Sequence, residues 1–256
     1  MADQSNVGRV ALVTGGTKGL GKGIAEQLLR SGYAVAVCGR STPDSPIGAG
    51  GRTANFHACD LRDPDQVAAL IAAVVAEHGR LDLLVNNAGG SPPADAATVS
   101  PRFSASIIAL NLTAPLVCAQ AANAVMQTQD TGGAIVNIAS VSGTRPSPGT
   151  AAYGAAKAGL INLTKSLAVE WAPKVRVNAL VCGFIMTELA DMHYGDEAGV
   201  AAVAATVPLG RFADASDIAN AVEWLASEQS SYVTGASLEI HGGGERPSFL
   251  AAAQRG

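Results

Sequence analysis

The feature that most limits what this chain can become is the regular alternation of short β-branched runs with longer helical patterns. VALVT at 10–14 is followed by TKGLGKGIAEQLLRSG, AVAVC at 34–38 leads to NFHAC at 55–59, and PDQVAALIAAVVAEHG comes next. LDLLV at 81–85, a long helical pattern over 101–128, AIVNI at 134–138 and a helix over 151–171 continue the series. VRVNALV at 175–181, a polar segment reaching 213, a helix over 214–226 and the strand SLEI complete it. Strands separated by helices pair in parallel, because each helical crossover brings the chain back to the end of the sheet where it started. The expected fold class is α/β: a Rossmann-type doubly wound three-layer sandwich with a central parallel sheet of about seven strands and helices on both faces. No repeat or linker divides the 256 residues, so one domain, 1–256, is expected. RSTPDSPIGAGGRT at 40–53 reads as a surface excursion between adjacent strands.

Charge and cysteine usage exclude several classes. The 21 acidic and 17 basic residues give a net charge of -4 and are scattered, which argues against a nucleic-acid or membrane-surface partner. The N-terminus has no signal-peptide pattern and no apolar run reads as long enough for a membrane span, so a cytoplasmic protein is expected. Cys38, Cys59, Cys118 and Cys182 are far apart, as are the four histidines, and no metal site is expected from them. Residues 105–126 and 154–169 are apolar or small on nearly every face. Helices of that kind are buried all round, and a copy of the same chain is one way to bury them. A homo-oligomer, tetramer or dimer, is expected.

Directly after the first strand comes Thr14-Gly15-Gly16-Thr17-Lys18-Gly19-Leu20-Gly21, opening a helix. Glycines let the backbone turn sharply there, and a helix N-terminus offers free N–H groups and partial positive charge to a phosphate. Much later, TAAYGAAKAGLINL places Tyr153 and Lys157 four residues apart, one helical turn, where a phenol and an ammonium group can share one small site.

These two motifs, with Asn86-Asn87-Ala88-Gly89 after the fourth strand, resemble the single-domain branch of the short-chain dehydrogenase/reductase family. The resemblance extends over essentially the whole chain, to PLGRFADASDIANAVEWLA and SSYVTGASLEIHGG. It implies an enzyme acting on CH–OH groups with a nicotinamide dinucleotide, bound by Gly15, Thr17, Lys18, Gly19, Leu20 and Gly21. Asp60 and Leu61 would hold the adenine, and Asn87, Ala88 and Gly89 would lie along the nicotinamide-side ribose. Gly183, Ile185 and Thr187 would contact the nicotinamide end, although Cys182 stands where the family usually has proline. The second strand ends Cys38-Gly39-Arg40, with glycine where NAD-preferring relatives carry aspartate. A guanidinium at Arg40, aided by Lys18, suits a 2'-phosphate, so NADP(H) is favoured while NAD(H) stays open.

The resemblance also supplies chemistry. Tyr153 becomes the acid/base, and a phenol of pKa about 10 needs a nearby cation to ionise near neutrality. Lys157 would provide that charge and bond the nicotinamide ribose. Ser140, thirteen residues before Tyr153, would donate to the substrate carbonyl oxygen, with Ser142 as a rival. Asn111 in ALNLTAP matches the asparagine that holds a water beside the lysine. The expected activity is a carbonyl reductase or alcohol dehydrogenase; related readings are a 3-oxoacyl-ACP or -CoA reductase, a hydroxyacyl-CoA dehydrogenase and a steroid dehydrogenase. A reading of another class is a dinucleotide-sensing protein without turnover, which would be expected to lack one of Ser140, Tyr153 and Lys157. Substrate selection falls to a lid at about 188–213, where Met192, His193 and Tyr194 would join Ser140, Ser142 and Tyr153 around a small alcohol or ketone. No Lys or Arg lies between Arg102 and Arg145, which argues against docking of an acidic carrier protein.

Overall fold

The computed structural model of the chain describes residues 6–188 and 194–253. Seven strands form one sheet in the order β5-β2-β1-β6-β7-β8-β9, with every neighbouring pair parallel. They are β1 (Val10–Thr14), β2 (Ala34–Gly39), β5 (Asn55–Ala58), β6 (Leu83–Asn86), β7 (Gly133–Ser140), β8 (Val175–Cys182) and β9 (Ser237–Ile240). The chain runs outward from β1 to β5, then returns to the other side of β1 with β6. That reversal opens a crevice at the C-terminal ends of β1 and β6, the place where doubly wound sheets bind ligands.

The strands carry apolar residues at consecutive positions because both faces are covered. Ala11 and Val13 of β1 face one core with α1 (Gly19–Arg30) and α7 (Ala215–Ala226), while Val10 and Leu12 face another. That second core is filled by α2 (Pro64–His78), α4 (Ala114–Met126) and the end of α5 (Ala151–Trp171). The period of two in strand side-chain direction thus sorts one apolar run into two layers. Local signals set the helix ends. Asp63 accepts from the N–H groups of Asp65 and Gln66 before Pro64, Gly79 closes α2 at φ +77°, and Asp214 with Asp217 forms a capping box on α7.

Four segments differ from the sequence reading. The stretch at 40–53 is more than a surface excursion: β3 (Gly48–Ala49) and β4 (Arg52–Thr53) form a hairpin, and Ile47, 2% exposed, is packed into the core. The long helical pattern over 101–128 is α3 (Pro101–Ile108), a π-helical turn over Ala109–Thr113, and α4. By length and composition the stretch Pro101–Met126 can cross a membrane, contrary to the expectation that no run reaches that length. Here its buried residues, including Cys118, Ala122 and Met126, instead pack against the sheet. Finally, α6 (Glu197–Ala204) lies within the polar segment, and α8 (Ser248–Ala253) follows β9.

Candidate active site

The glycine turn after β1 is built for close approach of a ligand. Gly15 and Gly19 have φ of +63° and +52°, a region side chains disfavour. A Cβ on Gly21 would lie 2.3 Å from the Gly15 carbonyl oxygen and 2.4 Å from Asn87 Nδ2, so only glycine permits α1 to start this near β6. Asn87 braces the turn, donating from Nδ2 to the carbonyls of Thr14 (2.9 Å) and Gly15 (3.3 Å). Thr14 Oγ1 in turn accepts from the N–H groups of Asn87 and Ala88 and donates to Val85 O. Lys18 is the N-cap of α1 but makes no side-chain cap bond. The Gly19 N–H donates instead to Glu188, 3.3 Å away, so a carboxylate from beyond β8 sits on this helix N-terminus. A diphosphate has the same chemistry, and the turn's donors and space fit the dinucleotide that the sequence implies.

At the end of β2, a Cβ on Gly39 would lie 3.2 Å from Thr17 Oγ1, which holds the strand end against the glycine turn. Arg40 is exposed there, beside Asp60. Asp60 is gripped by Arg62, whose Nε and Nη2 donate at 2.9 and 2.5 Å; these bonds lower its pKa to about 2. Leu61 is buried, and the cap of α2 is Asp63 rather than Asp60.

The chemistry-bearing side chains converge at the C-terminal end of β7. Ser140 ends that strand, and its Oγ accepts from Ser142 N–H at 3.2 Å. Tyr153 and Lys157 lie on the first turns of α5, and the Lys157 Nζ is 5.6 Å from the centre of the Tyr153 ring. Lys157 is 3% exposed and donates to Ile138 O at 2.8 Å. Burial lowers its pKa to about 8, still protonated at neutral pH. The phenol behaves differently from the expectation that the lysine draws it down: burial raises Tyr153 to about 12, only partly opposed by its hydrogen bond with Ser140. The phenol is therefore protonated at neutral pH.

Asn111 is the hinge of this corner. It is fully buried in the π-helical turn, where its Nδ2 donates to Ile107 O and Gly90 O and its Oδ1 accepts from Gly90 N–H. A Cβ on Gly89 would fall 2.6 Å from Asn111 Oδ1 and 3.3 Å from Lys157 Nζ, so these three residues meet at one point. Inserting one extra residue into the helix re-aims the side chains there, a common device at functional sites.

A polar chain that sequence reasoning missed holds this arrangement in register. Asn86 Nδ2 donates to Asn137 Oδ1, Asn137 Nδ2 to Thr164 Oγ1, and Thr164 Oγ1 to Leu160 O, linking β6, β7 and α5 through the apolar core. The signal was an asparagine inside the apolar strand AIVNI, since a buried amide needs partners.

The segment after β8 is placed only in part. Cys182 lies opposite Ser140 in the β7–β8 register, and burial pushes its thiol up to about 12, which keeps it protonated at neutral pH. Gly183 packs against His241, and Ile185 bridges to Ala213. Thr187 precedes Glu188 at the glycine turn. Tyr194 packs edge-on against Phe184 and Phe212 at 5.6 and 5.0 Å between ring centres. Met192 and His193 lie outside the described residues.

Comparison with known proteins places this geometry. The family model described as enoyl-(acyl carrier protein) reductase matches residues 15–245. The 3-oxoacyl-(acyl-carrier-protein) reductase of Staphylococcus aureus is 38% identical over 240 residues, 91% of this chain and 96% of the relative. A 3alpha-hydroxysteroid dehydrogenase of Mediterraneibacter gnavus is 36% identical over 249 residues, covering 91% and 96%. Among solved structures, the ligand-free aldohexose dehydrogenase of Thermoplasma acidophilum superposes with a TM-score of 0.86 at 30% identity, covering 93% of this chain and 94% of that one.

Proposed function

The chain belongs to the short-chain dehydrogenase/reductase family and is an NAD(P)(H)-dependent oxidoreductase that interconverts an alcohol and a ketone; from this we propose that it is an NADPH-preferring carbonyl reductase with Tyr153 as its acid/base. When bound, the nicotinamide supplies or accepts the hydride. The observation that carries the reading is the convergence of Ser140 at the end of β7 with Tyr153 and the buried Lys157 on α5, the Lys157 Nζ lying 5.6 Å from the centre of the phenol ring.

In this reading the substrate oxygen sits between the Ser140 and Tyr153 hydroxyls. Tyr153 gives its proton to that oxygen as the carbon is reduced: its raised pKa keeps the phenol protonated before the step, and the Lys157 charge lowers the cost of the phenolate during it. Ser140 donates to the same oxygen as charge grows on it. Lys157, held by its bond to Ile138 O, stabilises the phenolate left behind. In the oxidative direction the same groups take the proton back.

Arg40, exposed at the end of β2, with Lys18 in the glycine turn, favours NADP(H) over NAD(H). Four buried free cysteines accord with a reducing, cytoplasmic setting. Exposed apolar residues on the long helices, Ile108 at 39% and Val169 at 82%, support burial against further copies in a homotetramer or dimer. The relatives act, by name, on a carrier-protein thioester, a steroid and an aldohexose, and they share one reaction rather than one substrate. The lack of cations between Arg102 and Arg145 weighs against the carrier protein, and retention of Ser140, Tyr153 and Lys157 against a non-catalytic sensor.

Replacing Tyr153 with phenylalanine tests the assignment. Turnover of a carbonyl panel with NADPH should fall by about 10³-fold or more while NADPH affinity, read by its fluorescence on binding, stays within about threefold. Undiminished turnover refutes the role.

A further inference from the structure

The mouth beside Tyr153 contains an ion pair that the reaction itself does not use. Arg145 leaves the turn that follows Ser140, with its N–H bonded to Val141 O, and its Nη2 donates to Glu245, one hundred residues later. Glu245 reaches this place because the chain after β9 passes through Gly242, Gly243 and Gly244, all at positive φ, and folds back over Val207 and Pro208. Tyr194 lies within electrostatic reach both of Tyr153 and of Arg145 and Glu245. Its ring belongs to an aromatic wall with Phe184 and Phe212, which stack on each other at 5.5 Å. Behind Phe184 is a small cavity of about 80 Å³ lined by Val207, Leu209 and Ile240.

We infer that Glu245 occupies Arg145 so that the mouth accepts ketones bearing an uncharged, ring-containing substituent and discriminates against those bearing a free carboxylate. This rests on the placement of the reacting carbonyl between Ser140 and Tyr153. A substituent on that carbonyl extends past Tyr194, where a flat apolar group gains the aromatic wall and a charged one meets a guanidinium already neutralised. A carboxylate approaching Arg145 meets Glu245 already on Nη2 and the Pro146 carbonyl on Nη1, and the two anions repel each other. Both members of the pair are about one-third exposed, 37% and 34% for the side chains, so the pair contributes little to stability. Its consequence is selectivity.

Methyl 4-acetylbenzoate and 4-acetylbenzoate, which differ in that charge and one methyl group, serve as the probe pair. Binding to the NADP⁺-loaded protein and kcat/KM in NADPH-driven reduction are both measured. The wild type should favour the ester by about tenfold or more. In Glu245→Gln the acid should gain about tenfold while the ester stays within about twofold, and the double variant with Arg145→Gln should lose that gain. An ester-to-acid ratio unmoved in Glu245→Gln, a wild type that favours the acid, or no binding of the ester overturns the inference. Failure here with Tyr153→Phe inactive removes only the assignment of the ion pair. An active Tyr153→Phe removes the underlying placement of the carbonyl.

Discussion

Lys157 Nζ donates to the main-chain carbonyl of Ile138 at 2.8 Å, so the ammonium beside Tyr153 is tied to strand β7 rather than to the phenol. The sheet thereby fixes a charge at the site. This arrangement has a cost in stability, because a buried ammonium loses its hydration.

That cost makes Lys157→Met informative. Below pH 8 the lysine is protonated in folded and unfolded chains alike, and the folded state bears the full penalty. Between its folded value of about 8 and its ordinary 10.5 the unfolded chain binds more protons, so the penalty fades as pH rises. The variant should be more stable than the wild type by roughly 1–2 kcal/mol at pH 7, after loss of the bond to Ile138, and turnover should fall at least about 100-fold. Urea unfolding at pH 7 and pH 10.5 checks the sign: the advantage should be present at the first and gone at the second. A difference independent of pH would contradict the linkage.

Asn111→Ala removes three hydrogen bonds from a fully buried position and leaves the Gly90 peptide without its partners. A loss of about 2–3 kcal/mol is expected from chemical denaturation, with kcat falling more than KM rises. A drop of less than about 0.5 kcal/mol would mean that water replaces the side chain freely.

Arg40→Asp exchanges a guanidinium, shaped to grip a phosphate, for a carboxylate, suited to accept from ribose hydroxyls, at the end of β2. The ratio of kcat/KM for NADPH over NADH should fall by about tenfold or more. If the ratio stays put, cofactor choice is made elsewhere, with Lys18 and Arg62 the next residues to replace.

Glu188→Gln separates two effects of the contact at the Gly19 N–H. Without cofactor the protein should lose about 0.3–1 kcal/mol, since a charged partner leaves the N-terminus of α1. NADPH should bind about threefold tighter or more by calorimetry, because a carboxylate no longer competes with the diphosphate for that donor. Weaker binding would show that Glu188 assists the cofactor instead.

The layer architecture was legible in the sequence because strand and helix periodicities are local properties, repeated along the chain from VALVT to SLEI. The glycine turn and the Tyr153–Lys157 pair were legible for the same reason, since residues within one turn of chain stay neighbours in any fold that keeps the helix. What depends on distant parts of the chain meeting was not. The bracing of the glycine turn by Asn87, the Asn86–Asn137–Thr164 chain, the Glu188 contact and the Arg145–Glu245 pair each join residues between 27 and 169 positions apart, except that the first two also needed the sheet order to be known. The acidity of Tyr153 belongs to this second group: spacing set the lysine beside it, but burial, a property of the packed whole, pushes the phenol's pKa up rather than down.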